Sequence, residues 1–124
     1  MARILVVDDD KDIIEVVKYV ALKDGHLVLE AANGREGLER ATTQQPDVII
    51  LDIMMPEMDG YTLNNRLLSD PATQNIPVII LTAKGRMREA FLPATNVRAY
   101  MDKPFEPTAL QEQIQTVLAE KTRR

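Results

Sequence analysis

The sequence predicts an α/β domain built on a parallel sheet with helices on both faces. Two observations carry this prediction. Short apolar runs rich in valine and isoleucine recur along the chain without polar alternation, as strands buried on both faces do. Between them lie segments with apolar residues at helical spacing, and strands alternating with helices connect by right-handed crossovers into a parallel sheet. A third observation concerns function: acids, a threonine and a lysine stand where the strands end.

The first strand is expected at 3–7, "RILVV", and the second at 27–31, "LVLEA", more polar and suited to a less covered position. The third and fourth are expected at 47–51, "DVIIL", and 77–81, "PVIIL", and a weaker fifth at 97–101, "VRAYM". Segment 11–23 carries Ile13, Ile14, Val16, Val17, Val20 and Ala21 and stops near Gly25, as a helix does. Segment 34–43 places Leu38 and Ala41 on one face behind Asn33, a cap candidate. Segment 59–69 offers Leu63, Leu67 and Leu68. A helix over 107–121 has Leu110, Ile114, Val117 and Leu118 on one face, with Pro107 suited to its first turn. The fourth helix, over 84–92, is expected to be short or irregular: Met87, Ala90 and Phe91 give barely two turns before Pro93, which turns Leu92 away from helical geometry.

At 124 residues the chain is expected to form one domain, 1–124, large enough for a real core. Its net charge of −4 argues against a nucleic-acid footprint. The absence of cysteine excludes disulfides, thiolate chemistry and Cys-ligated metals. No apolar stretch approaches the ~20 residues of a membrane span, and the segment before the first acids is too short for a signal peptide. A cytoplasmic domain without membrane insertion is the expectation.

In such sheets ligands sit beyond the carboxyl ends of the strands. There the chain places Asp8, Asp9 and Asp10, then Asp52, Thr82 and Lys103. Two unit charges about 4 Å apart at a protein surface repel by roughly 4 kcal/mol at an effective dielectric near 20. A helix N-terminus returns only about 0.3–1 kcal/mol to an aspartate. A divalent cation shared by Asp8, Asp9 and Asp52 inverts the sign of the interaction, and an all-oxygen acidic site suits Mg²⁺. Taken alone, "DDD" reads as a solvated turn and helix cap, Lys103 as a surface charge and Thr82 as a turn hydroxyl. Their joint occurrence at the ends of the first, third, fourth and fifth strands, in this order, reverses those odds.

The stretches "ILVVDDD", "LDIMMPEMDG", "PVIILTA" and "YMDKPF" together resemble the receiver domain of bacterial two-component response regulators, chiefly its single-domain, chemotaxis-regulator-like members. The resemblance implies a five-stranded, flavodoxin-like sheet of order 2-1-3-4-5. It implies that Asp52 is the phosphoacceptor, that Asp9 binds Mg²⁺ directly with Asp8 helping mainly through water, and that the Met54 backbone carbonyl is a further ligand. Thr82 and Lys103 would contact phosphoryl oxygens, and the small Ala83 would leave them room. Tyr100 would be the aromatic switch residue, entering space that Thr82 vacates. Pro104 suggests a cis peptide that aims Lys103, and Pro56 and Gly60 would shape the loop after Asp52, Gly60 also opening the third helix. The implied partners are a histidine kinase or histidine phosphotransfer protein and a downstream protein target, with the chain a monomer or weak dimer. No output domain follows "AEKTRR", so output is expected through protein contacts remodelled around the fourth helix, fifth strand and fifth helix.

One departure stands out. The Gly-Ala pair usual before the last strand is missing from "AFLPATNVRAY" (90–100), and Lys84, Arg86, Arg88 and Arg98 make the region basic. It bears on the output surface, not on the phosphorylation residues. Two rival functions are an aspartate-nucleophile phosphatase and a degenerate module that never meets phosphate. The first needs an acid two residues past the nucleophile, where Met54 stands. The intact set Asp8, Asp9, Asp52, Thr82 and Lys103 argues against the second. His26, the only histidine, stands in an expected turn and is no phosphodonor.

Hydrolysis of an aspartyl phosphate needs a water in line with the phosphorus. In the family, positions 54 and 84 edge that approach; Met54 orients no water, and charged Lys84 accepts no proton. The phosphoryl group should therefore be long-lived beside receivers with an amide and a carboxylate there. Met54→Asn with Lys84→Glu should hasten its loss, followed as decay of radiolabel after donor removal. Equal decay of the two proteins would refute control by these side chains.

Overall fold

The computed structural model describes residues 2–53, 58–83 and 95–122. Five strands, β1 (Arg3–Val7), β2 (Leu27–Ala31), β3 (Val48–Asp52), β4 (Val78–Ala83) and β5 (Val97–Lys103), form one sheet in the order β2-β1-β3-β4-β5. Every pairing is parallel. Helices α1 (Lys11–Lys23), α2 (Gly34–Gln44), α3 (Gly60–Leu68) and α4 (Pro107–Thr122) complete the described elements. The expected helix over 84–92 lies outside the described residues, as do Lys84, Arg86 and Arg88. No described helix is long and apolar enough to cross a membrane.

The unbroken apolar runs are explained by two cores. Ile4 and Val6 of β1, Val48 and Ile50 of β3, and Ile79 and Leu81 of β4 face α1 and α4. Their neighbours Leu5, Val7, Ile49, Leu51, Val78 and Ile80 face α2 and α3. A strand covered on both faces needs apolar residues at every position, so the polar/apolar alternation of an exposed sheet is lost. Edge strand β2 is only partly covered, in keeping with its polar sequence.

Three strands run further than their apolar letters. β3 ends on Asp52, which pairs with Leu81, and β4 and β5 continue through Thr82↔Asp102 and Ala83↔Lys103. Backbone pairing is indifferent to whether a side chain is polar, so the ladder runs on past the apolar letters. The chemistry-bearing residues therefore close the strands from within the ladder and inherit its rigidity.

Helix starts follow local chemistry. Asp10, Asn33 and Asp59 cap α1, α2 and α3, accepting from the backbone N–H of Asp12, Glu36 and Thr62. Gly25, at φ +77°, takes the left-handed turn after α1. At the opposite end of the sheet from the strand ends, the buried amides of Asn64 on α3 and Asn96 before β5 bond reciprocally, at 2.8 and 3.3 Å. The Asn96 carbonyl also accepts from Val78 N–H, so this pair ties α3, β4 and the approach to β5 together.

Truncating one partner strands a buried amide, at a cost of about 1–3 kcal/mol. Asn96→Ala should lower the unfolding free energy by that amount, read as a lower urea midpoint at unchanged slope. Asn64→Leu combined with Asn96→Leu should cost less than the sum of the single variants. Strict additivity would show that the two amides do not depend on each other.

Candidate functional site

The doubly wound order reverses between β1 and β3, and the crevice beyond their carboxyl ends is where such folds hold ligands. Asp8 follows β1, its N–H donating to Ala31 O at 3.0 Å, and Asp52 closes the adjacent β3. Both carboxylates are buried, Asp8 at 0% and Asp52 at 4% exposure, while Asp9 is exposed. One carboxylate oxygen from each of Asp8, Asp9 and Asp52 lies within 4.8 Å of the others.

Lys103, at the end of β5, reaches across to this group. Its Nζ stands 3.0 Å from Asp8 Oδ2 and 3.2 Å from Asp52 Oδ1. The second Asp8 oxygen accepts from Asp10 N–H at 2.9 Å. The "DDD" run is thus three different residues. Asp8 is a buried ion-pair acceptor, Asp9 an exposed acid on the rim, and Asp10 the cap of α1. The solvated-cap reading describes Asp10 alone.

Among the described residues, the negative charge of the site is only partly countered. Burial pushes the Asp8 carboxyl above the usual range, and the Asp10 N–H and Lys103 only partly counter it; the neighbouring charge of Asp9 adds to the rise. Burial works the other way on Lys103, yet its hydrogen bonds and attraction to Asp8 and Asp52 outweigh it and raise its pKa. Among the described residues, the Lys103 ammonium bonds two of the three grouped carboxylates. A hard divalent cation with oxygen ligands supplies the missing charge, so the donor set fits Mg²⁺.

Thr82 is buried near the end of β4, one residue past Leu81, the ladder partner of Asp52. Tyr100 pairs with Ile80, so Thr82 and Tyr100 stand on adjacent strands and point to one face of the sheet. Tyr100 is partly buried against the α2/α3 core. The Lys103–Pro104 peptide bond is cis. Met54 and Pro56 lie outside the described residues, and for Ala83 the backbone alone, paired with Lys103, is described.

Gly60 opens α3, donating its N–H to Ile53 O at 2.9 Å. A Cβ there would sit 2.5 Å from Asp52 O and 2.8 Å from Ile53 Cα. Any other residue would displace the strand end that carries Asp52. Sequence reasoning had Gly60 shape the loop after Asp52 and open the third helix, as it does, but missed this contact, as it missed the Asp8–Lys103 ion pair, 95 residues apart in the chain. On the outer side of Asp8 and Asp9, a crevice of about 370 Å³ opens toward Lys11, Glu15, Glu36 and Arg40.

Over residues 4–115 the chain matches the response regulator receiver domain family. It belongs to that family. Its relatives include PilH of Pseudomonas aeruginosa, 39% identical over 122 residues that cover 96% of this chain and 99% of PilH. RpaA of Synechocystis sp., a DNA-binding dual master transcriptional regulator, is 35% identical, but the matched part is 49% of its length. Among solved structures, the receiver domain of the P. aeruginosa sensor histidine kinase PA1611 superposes with a TM-score of 0.86 at 28% identity. The match covers 95% of this chain and 98% of that one, and that structure carries a magnesium ion coordinated in its active-site cleft. The acidic triad of this receiver domain is consistent with such a site.

Because folding raises the Asp8 pKa, the folded state holds a proton that the unfolded chain has released, over the window from the ordinary carboxylate value up to the raised one. Stability falls as pH rises through that window and stays lower above it. In chelator-treated protein, Asp8→Asn should therefore raise the Tm at pH 7, and the gain should shrink on acidification toward the ordinary carboxylate range. A lower Tm at pH 7 would show that the Lys103 ion pair outweighs the burial of the Asp8 charge.

Proposed function

We propose that this receiver domain is a cytoplasmic, Mg²⁺-dependent phosphoacceptor that takes a phosphoryl group from a phosphohistidine onto Asp52. The donor is a histidine kinase or histidine phosphotransfer protein, and the outcome is a changed protein-binding surface. The observation that carries this reading is the placement of Asp52. It is a buried carboxylate, 3.2 Å from the ammonium of Lys103 and grouped with Asp8 and Asp9.

Phosphoryl transfer asks little covalent chemistry of the protein; positioning and charge stabilisation do most of it. An Asp52 oxygen bonds to phosphorus as the P–N bond to the donor imidazole breaks, and the imidazole leaves with a proton from solvent. Asp8, Asp9 and Asp52, with the Met54 carbonyl, would hold Mg²⁺, which when bound neutralises charge on the transferred oxygens. Lys103 turns from the carboxylates to the phosphoryl group, and the Thr82 hydroxyl donates a hydrogen bond to it. The new group adds about −1.5 to −2 charge and three acceptor oxygens. That draws Thr82 inward, and Tyr100, on the same face of the next strand, moves into the space released. Ala83, Pro56 and Pro104 act as the supporting residues of this arrangement.

Beryllofluoride with Mg²⁺, or a small phosphodonor followed by mass spectrometry, should modify the wild type at Asp52 alone and leave Asp52→Asn inert. Asp9→Ala should abolish Mg²⁺ binding in a calorimetric titration, and Lys103→Ala should slow phosphorylation by about 100-fold or more. Label on another residue, or unchanged Mg²⁺ affinity in Asp9→Ala, would refute the assignment.

A further inference from the structure

Among the described residues, the outer edge of β2 is a row of backbone groups with no strand beside it. Leu27 N–H donates to Ala2 O and Ala31 O accepts from Asp8 N–H, so Leu27, Leu29 and Ala31 turn their backbone groups toward β1. By the alternation of a parallel ladder, the N–H and C=O of Val28 and Glu30 point away from the sheet. Proteins usually guard such edges with proline, charge or a bulge. The other edge strand, β5, has such guards: a register irregularity opposite Val78/Ile79, and Arg98 and Asp102 along its length. β2 has none. Its register against β1 is regular, and its one charge, Glu30, is neutralised by Lys18 at 2.7 Å.

Apolar side chains flank this edge on both faces of the sheet. Leu27 is 45% exposed and stands with Leu29 on the α2 face. On the other face Leu22, 59% exposed, lies one turn past Lys18, the residue that reaches Glu30, and so overhangs the same edge.

We propose that β2 is a self-association edge and that its occupant is β2 of a second copy of this chain, paired antiparallel about a two-fold axis through Leu29. The sequence "LVLEA" is self-complementary in that register. Val28 and Glu30 of opposite copies exchange a pair of backbone hydrogen bonds on each side of the axis. Leu29 meets Leu29 at the axis, and Leu27 meets Ala31 of the other copy. Each Glu30 faces a valine, not a like charge, and keeps its own Lys18. The two Leu22 side chains close over the seam. A seam of this size lies below the area of stable interfaces, so the dimer is weak and concentration-dependent.

Sedimentation velocity of the full chain from micromolar to millimolar concentration should show a reversible monomer–dimer equilibrium. Val28→Pro removes an outward N–H without breaking the ladder to β1, a position where an edge strand tolerates proline, and should leave only monomer. Leu22→Glu, on an exposed helical position, should do the same and serves if the proline variant fails to fold. The chain has no cysteine, so Leu29→Cys should cross-link to a covalent dimer on mild oxidation, while Lys23→Cys should not. A monomer at every concentration would overturn the proposal and leave the edge to an extended segment of another protein. A dimer untouched by both Val28→Pro and Leu22→Glu would overturn it equally, by placing the contact elsewhere.

Discussion

The Lys103 ammonium ties together the carboxyl ends of three strands. Lys103 bonds to Asp8 and Asp52 at once, linking the end of β5 to the ends of β1 and β3 across the sheet. Both acids are buried, and a buried carboxylate without a partner would cost several kcal/mol. Lys103, with the Asp10 N–H on Asp8, therefore helps both strand ends stay charged. Even so the balance is incomplete, because burial leaves Asp8 with a raised pKa despite that partner. Negative charge crowded in this way is consistent with an oxygen-ligated cation site.

The sheet supplies the rigidity that such crowding demands. β1 and β3 are buried on both faces between two apolar layers, and backbone pairing continues through Asp52, Thr82 and Lys103. The ladder fixes the backbone from which the Asp52 carboxylate springs, next to the end of β1 that carries Asp8. Gly60 adds a steric condition from below, since α3 begins so near Asp52 O that no side chain fits between. The crowding is therefore sustained by cores that lie outside the site. Stability of the layers and tension at the rim are parts of one arrangement, as is common at functional sites.

Much of this was legible in the sequence alone. Unalternating apolar runs identified doubly covered strands, helical spacing identified α1 and α4 within a residue of their observed ends, and Asn33 proved to be the cap it resembled. The acids, threonine and lysine at the strand ends, with their spacing, pointed to the family before any coordinates did. These features are local, and local chemistry is what a sequence displays: periodicity, capping and the residues that break a run.

What the sequence could not display is which of three adjacent aspartates does what. Asp8, Asp9 and Asp10 are chemically identical, and their separation into buried partner, exposed rim acid and helix cap depends on where β1 ends relative to β2 and β5. The same holds for the true ends of β3, β4 and β5, which polar residues extend because a neighbouring strand is there to pair with. Periodicity and unbroken apolar runs thus determined the layers, and the resemblance of four short motifs to a known family pointed to the family and to the candidate residues. Only the tertiary structure decided the burial, the Lys103 bridge and the contact at Gly60, because each joins groups far apart in the chain whose energies depend on distance and on exclusion of water.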